Sequence, residues 1–199
     1  MWFGATVDYF FPTCKKTLHY VLYISMNKNG TPDTAHGLHR LNLRVVGIGD
    51  MIVSNRPDDL IVTFALGSCL GLAVYDPVAG VGGILHAMLP DSSIHRKEEE
   101  FIPSRYVNTG IPMLFKEAYK LGAEKGRIIV KMAGCSTALD DGNVFDIGQR
   151  NYTAAQNTLR KNNVPIDAEH CGSSKSITLM LEIKTGNVIM RIRNKEIPL

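Results

Sequence analysis

Residues 60–90 read Leu60-Ile-Val-Thr63-Phe-Ala-Leu66-Gly67-Ser68-Cys69-Leu70-Gly-Leu-Ala-Val-Tyr75-Asp76-Pro77-Val-Ala-Gly-Val81-Gly-Gly-Ile-Leu-His86-Ala-Met-Leu89-Pro90. Three apolar runs, Leu60 to Leu66, Leu70 to Tyr75 and Val81 to Leu89, are rich in β-branched residues and separated by Gly67-Ser68 and Asp76-Pro77. Short apolar runs bounded by turn formers read as buried strands joined by tight turns, here lying side by side. Further strands follow at Arg127 to Met132, Ile177 to Ile183 and Val188 to Ile192, the last two closed into a hairpin across Lys184-Thr185-Gly186-Asn187. Met190 and Ile192 alternate with Arg191 and Arg193, so one face of that strand is buried and the other wet. Two stretches have helical spacing. Val107, Ile111, Leu114, Phe115, Ala118 and Leu121 form one face, closed by Gly122. Pro112 places its start at Thr109 as N-cap, where the missing amide falls among the orphan donors; a start nearer Ser104 would require a kink. The second helix lies between Asp146 or Gly148 and Asn162, with Ala154, Ala155 and Leu159 inward and Pro165 beyond its end. Strands outnumber helices without βαβ alternation, so the expected class is α+β, with layered mixed β-sheets and two main helices.

Upstream of this core the character changes. Residues 27–39 are a cluster of turn formers and read as a linker, dividing the chain into an N-terminal extension with its linker (1–42), expected to be flexible, and a compact domain (43–199). Residues 1–26 hold seven of the 15 aromatic residues, but Asp8, Pro12, Lys15 and Lys16 interrupt the run and the basic pair follows the aromatics. A secretory signal has the opposite order, so the expectation is a cytoplasmic protein that does not insert into membrane. With 199 residues and 45% hydrophobic composition the chain can bury a continuous core, and 21% charged residues exclude wholesale disorder. A net charge of +3 is too small for a dedicated nucleic-acid binder. Cys14, Cys69, Cys135 and Cys171 are widely spaced, with no C-x-x-C pair, so neither a zinc knuckle nor a disulfide framework is expected. No metal or other cofactor is implied.

The chemistry concentrates at the turn after the first strand. Gly67 permits a sharp reversal, and Cys69 follows where main-chain amides are still unpaired. Amides in the Gly67-Ser68-Cys69 turn could stabilise both a thiolate and a developing oxyanion without reorganising. A cysteine in an apolar run is more commonly a small core residue. His86 lies on the next strand but one, within antiparallel reach of Cys69, where it could take the thiol proton and later protonate a leaving group. A histidine bonded to backbone in the core is the commoner case. Thr63, on the strand feeding the turn, could orient the imidazole, although most strand threonines do not.

Gly47-Ile-Gly-Asp50, Thr63-x-x-Leu-Gly-Ser-Cys69, Tyr75-Asp-Pro77, Gly82-Gly83-x-x-His86-x-Met-Leu-Pro90, Arg105-Tyr106 and Ile147-Gly-x-Arg-Asn151 together resemble the CheD chemoreceptor glutamine deamidases over about Val45 to Ile192. The resemblance implies hydrolysis of glutamine side-chain amides to glutamate on methyl-accepting chemotaxis receptors. It assigns the nucleophile to Cys69, the general acid and base to His86 and the supporting hydroxyl to Thr63. It also implies a layered α+β fold of the cytotoxic necrotising factor type.

Two stretches depart from the family pattern. Ala133-Gly134-Cys135-Ser136 stands where the family has Gly-Gly-Ala, and Glu169-His170-Cys171-Gly172-Ser173-Ser174-Lys175-Ser176 lacks the expected arginine, which Lys175 replaces in charge but not in planar geometry. The resemblance therefore leaves a second reading: a binding module that regulates a CheC-type phosphatase, with weak or no catalysis. His170-Cys171 is only half a tetrahedral zinc site, and 96–100 reads as a solvated charged loop.

Overall fold

The computed structural model describes residues 3–7, 20–24, 40–95, 100–137, 146–193 and 195–199. In chain order these form β1 (Phe3–Val7), β2 (Tyr20–Ile24), β3 (Arg40–Val46), β4 (Met51–Ser54), β5 (Asp59–Leu66), β6 (Leu70–Asp76), β7 (Val81–Ala87), α1 (Val107–Lys120), β8 (Ile129–Gly134), α2 (Ile147–Lys161), β9 (Ala168–Cys171), β10 (Ile177–Glu182), β11 (Val188–Ile192) and β12 (Lys195–Pro198). The strands make two mixed sheets: β1-β2-β3-β5-β10-β11-β12, and β4-β7-β6-β8-β9. Mixed α+β architecture with two main helices is thus observed. The expected domain boundary at 42/43 falls inside β3; most of residues 1–42, Cys14 among them, lie outside the described residues, as do 96–99 of the charged loop.

The two sheets are one layer each. Leu72, Val74, Leu85, Val130 and Met132 on one face of the five-stranded sheet pack against Ile111, Leu114 and Phe115 of α1 and Ala155 and Leu159 of α2. The opposite face, with Ala73, Ile84 and Ala133, packs on Ile61, Leu66, Leu179 and Leu181 of the seven-stranded sheet. β6 and β7 are buried along their whole length because apolar layers cover both faces, which explains why their sequences are nearly continuous apolar runs rather than alternating ones.

Three expectations are corrected. β6 and β7 pair as expected, antiparallel, but β5 is not their neighbour: it pairs with β3 in parallel and with β10 in the other sheet. The three residues Gly67-Ser68-Cys69 therefore carry the chain from one sheet to the other, helped by a left-handed residue at Ala65 (φ 57°). The second correction concerns α1, which starts at Val107 rather than after Thr109 and contains Pro112. Its first amides are satisfied by tertiary contacts, Val107 N–H to the Leu89 carbonyl (2.8 Å) and Asn108 N–H to Pro90 (3.3 Å), so no side-chain cap is needed. Thr109 instead donates its hydroxyl to the Pro103 carbonyl at 2.7 Å. Strand β8 also sits two residues later than expected, because Arg127 is held in a short 3-10 turn where its guanidinium reaches the buried Asp76 (2.9 Å).

Candidate active site

The crossing between the sheets brings together the three side chains singled out above. Thr63 stands near the end of β5, His86 on β7, and both are fully buried; Cys69 is half-buried at the entry to β6. The Thr63 hydroxyl lies 3.0 Å from the Val46 carbonyl and 2.7 Å from His86 Nδ1. A hydroxyl has one proton, and the carbonyl can only accept it, so Thr63 accepts from Nδ1–H. This selects the neutral tautomer whose Nε2 carries the lone pair. Nε2 is buried and has no hydrogen-bond partner among the described residues.

Strand register places Cys69 relative to that nitrogen. Gly71 is paired with His86 across β6 and β7, and Cys69 is two residues before Gly71, hence on the same face as the imidazole. A diagonal pair of this kind has Cα atoms about 7–8 Å apart, within reach of long side chains. Thiol and imidazole are not hydrogen-bonded to each other at rest, as Nε2 is unpartnered; in unliganded sites such bonds commonly tighten only when substrate arrives. Burial pushes the Cys69 thiol up from 9.0 and the His86 imidazole down from 6.5. The resting pair is therefore a neutral thiol beside a neutral base, in contrast to the stabilised thiolate expected from the turn alone.

The turn is held from behind. Ser136 N–H donates to the Gly67 carbonyl (2.8 Å), the Asn151 amide to the Ser68 carbonyl (2.9 Å), and Cys135 N–H to the Cys69 carbonyl (2.8 Å). In a trans peptide the N–H of the next residue points opposite to the carbonyl. Pinning the Gly67 and Ser68 carbonyls on the β8 and α2 side thus aims the Ser68 and Cys69 amides the other way, and neither makes a hydrogen bond among the described residues. Two free main-chain donors beside a sulfur are what an oxyanion requires.

Asn151 was part of a quoted motif but had no role in the sequence reading. It is fully buried on α2, and besides Ser68 its amide donates to the Met88 carbonyl at 2.9 Å. One side chain thereby ties the Cys69 turn to the end of the strand that carries His86. The only available signal was an asparagine one turn into an otherwise amphipathic helix. Gly134, the glycine retained in the departing 133–136 stretch, has φ 96°, and a Cβ there would fall on the Cys69 carbonyl oxygen. Gly148 is equally confined, since a Cβ would meet the Ser136 carbonyl. Cys135 fills its position with φ 50°, its side chain in the core. The change in that stretch therefore leaves the backbone contact with Cys69 intact. Lys175, by contrast, is exposed in the loop after β9.

Elsewhere, a cleft of about 400 Å³ runs along α2 beside Pro90 and Asp91, and none of Thr63, Cys69 or His86 lines it. Among the described residues no group of three or more His, Cys, Asp or Glu side chains is placed to hold a metal, and no helix is long and apolar enough to cross a membrane.

Comparison with known proteins places these features in context. Residues 88–192 match a family model described as CheD chemotactic sensory transduction; the match begins just after His86. The chain is 50% identical over 147 residues to a probable chemoreceptor glutamine deamidase, CheD 1, of Syntrophus aciditrophicus, covering 74% of this chain and 92% of that protein. It is 40% identical to the probable chemoreceptor glutamine deamidase CheD of Solibacter usitatus (76% and 90% covered) and 40% identical to CheD 2 of Anaeromyxobacter dehalogenans (80% and 100% covered). A crystal structure of the Bacillus licheniformis hypothetical protein YfiH aligns with TM-score 0.37 at 12% identity over 64% of this chain and 58% of that one, a likeness too slight to argue from.

Proposed function

The chain belongs to the CheD family, and from that premise we propose that it is a cysteine amidohydrolase that converts glutamine side chains of methyl-accepting chemotaxis receptors to glutamate, releasing ammonia. The activity is assigned to residues 43–199, with 1–42 as an extension, and it is exercised in the cytoplasm, where the receptor's signalling domain lies. The observation that carries the mechanism is the His86 imidazole, held at Nδ1 by Thr63 and unpartnered at Nε2 on the face shared with Cys69.

Because both groups are neutral at rest, nucleophile and base are created together. As Cys69 Sγ attacks the carboxamide carbon, its proton passes to His86 Nε2, and the carbonyl oxygen becomes an oxyanion facing the Ser68 and Cys69 amides. The imidazolium keeps its Nδ1–H on Thr63. Collapse of the tetrahedral intermediate breaks the C–N bond, and Nε2–H protonates the departing nitrogen, giving ammonia and a thioester. Water, its proton taken by Nε2, then attacks the thioester carbon; the C–S bond breaks and the proton returns to sulfur. Atoms and charges balance over the cycle with water as the sole co-reactant. The arrangement of helices and two sheets, with the nucleophile at the crossing between them, also supports kinship with the layered cytotoxic necrotising factors.

The test is mass spectrometry of a receptor cytoplasmic fragment incubated with wild type and with Cys69→Ala. Gln-to-Glu conversion by wild type alone is expected. If neither protein converts the glutamines while a CheC-type phosphatase is still bound, the chain is a regulatory binding module and the hydrolytic reading fails.

A further inference from the structure

Two thiols behind the nucleophile's turn have no part in hydrolysis. Cys135 follows the last residue of β8, and Cys171 closes β9. The strands are parallel with Gly134 opposite Cys171, so Cys135 is one residue beyond the partner of Cys171. Neighbouring strands lie about 4.8 Å apart, which puts the Cα atoms of such an offset pair at about 5–6 Å, inside the range a disulfide spans. In a regular strand Cys135 would face away from Cys171. Here the successive left-handed residues Gly134 (φ 96°) and Cys135 (φ 50°) turn the chain. The Cys135 side chain enters the core between the helices and the five-stranded sheet, and Cys171 packs against that same cluster. Both thiols therefore lie at the same end of the β8–β9 ladder, on the helix-covered side of the sheet. A dithiol is only half a zinc site, and among the described residues no third ligand joins it.

We propose that Cys135 and Cys171 are a redox pair that a hydroperoxide converts to a disulfide, a modification site lying directly behind the catalytic turn. The order of events follows from exposure. Cys171 is half-buried and Cys135 is 1% exposed, and the neighbouring Cys171 together with burial pushes the Cys135 thiol up. The Cys171 sulfur attacks the peroxide and its thiol proton passes to the departing hydroxide; the O–O bond breaks, leaving a sulfenic acid on Cys171 and one molecule of water when the oxidant is hydrogen peroxide. The Cys135 sulfur then displaces the sulfenic oxygen as a second water, its thiol proton supplying the hydrogen. Two electrons leave the sulfurs and reduce the peroxide, and a dithiol reductant reverses the change.

The link to the site is the backbone. Cys135 N–H holds the Cys69 carbonyl and Ser136 N–H holds the Gly67 carbonyl, both at 2.8 Å. Joining the two sulfurs in a bond of about 2.0 Å pulls Cys135 toward β9, and with it the support of the oxyanion donors. Formation of the disulfide itself does not depend on the deamidase reading.

The experiment uses the reduced full-length chain exposed to hydrogen peroxide, quenched with an alkylating agent and mapped by non-reducing peptide mass spectrometry. The expected product is a Cys135–Cys171 cross-linked peptide lacking two hydrogens. It should form equally in Cys69→Ala, be absent in Cys171→Ser and disappear on treatment with dithiothreitol. A cross-link that recruits Cys69, or oxidation of Cys171 to sulfinic acid with Cys135 still free, overturns the proposal. None of these readouts uses glutamine turnover, so failure here is distinct from failure of the hydrolytic reading.

Discussion

Thr63→Val is the sharpest test of the site because it removes one atom's function at nearly constant shape. The hydroxyl makes two bonds, to the Val46 carbonyl (3.0 Å) and to His86 Nδ1 (2.7 Å), and all three residues are buried. In the resting state the Nδ1 bond is between neutral groups. When Nε2 takes the thiol proton the imidazole becomes cationic, and the same bond becomes charge-assisted, of order 1.5–3 kcal/mol rather than about 1. Since the resting enzyme already holds the weaker bond, only the difference of about 0.5–2 kcal/mol is lost from the barrier, a fall of about 2- to 30-fold in kcat/KM at 1.36 kcal/mol per factor of ten. The valine variant also frees the ring to adopt the other tautomer, which has no lone pair at Nε2 and pushes the loss toward the upper figure. Thr63→Ser retains the oxygen and should stay within about threefold of wild type. The assay is the initial rate of Gln-to-Glu conversion on a receptor fragment, with the imidazole tautomer followed by nitrogen NMR. Valine and serine variants that lose activity alike, or a valine variant as active as wild type, would refute the role given to the hydroxyl.

Activity should depend on pH through two limbs. His86 must be neutral to accept the proton, and burial depresses its pKa, so the acid limb of kcat/KM should fall below 6.5; the thiol is pushed above 9.0, so the profile should stay flat between. An acid limb centred above 6.5 would contradict the depressed imidazole, and a loss of activity between 6.5 and 9.0 would instead indicate a preformed thiolate–imidazolium pair. Asn151→Ala removes the donor to the Ser68 and Met88 carbonyls, each worth about 1–3 kcal/mol when left unpaired. As Asn151 positions the turn without touching substrate, kcat should drop by at least about tenfold while KM for the receptor fragment is unchanged; a change confined to KM would contradict this. At the other end of β6, Asp76 is fully buried and bonded to Arg127 and to the amides of Val78, Ala79 and Glu124. Burial alone would raise its pKa, but the guanidinium and the three amides hold it well below the ordinary 3.8. A depressed carboxylate pKa means that its stabilisation is complete above 3.8 and lost as the pH falls toward the folded-state value. Asp76→Asn should therefore cost about 3 kcal/mol in urea denaturation at neutral pH and flatten the loss of stability below pH 3.8; parallel acid curves for the two proteins would count against this account.

Much of the site was legible because its chemistry is local in sequence. A strand, a three-residue turn and two more strands bring Thr63, Cys69 and His86 within a span of 24 residues, and an antiparallel register is enough to place the last two on one face. Asn151 was not legible: it is 63 and 83 residues from the carbonyls it holds, and nothing in a helix's own periodicity says that a buried amide will face another element's backbone. The thiol pair Cys135 and Cys171 escaped notice for the same reason, since its contact depends on a parallel pairing of β8 with β9 and on two left-handed residues.

From sequence alone came the α+β class, both helices and the buried strands of the centre, because side-chain periodicity and turn chemistry act over a few positions, and with them the candidate trio Thr63, Cys69 and His86. Folding in three dimensions decided which strand sits in which sheet, where α1 begins, and that sulfur and imidazole rest uncharged. Those outcomes depend on which groups the remote parts of the chain hydrogen-bond and shield from water, and free energies of pairing and desolvation belong to the assembled layers rather than to any single segment.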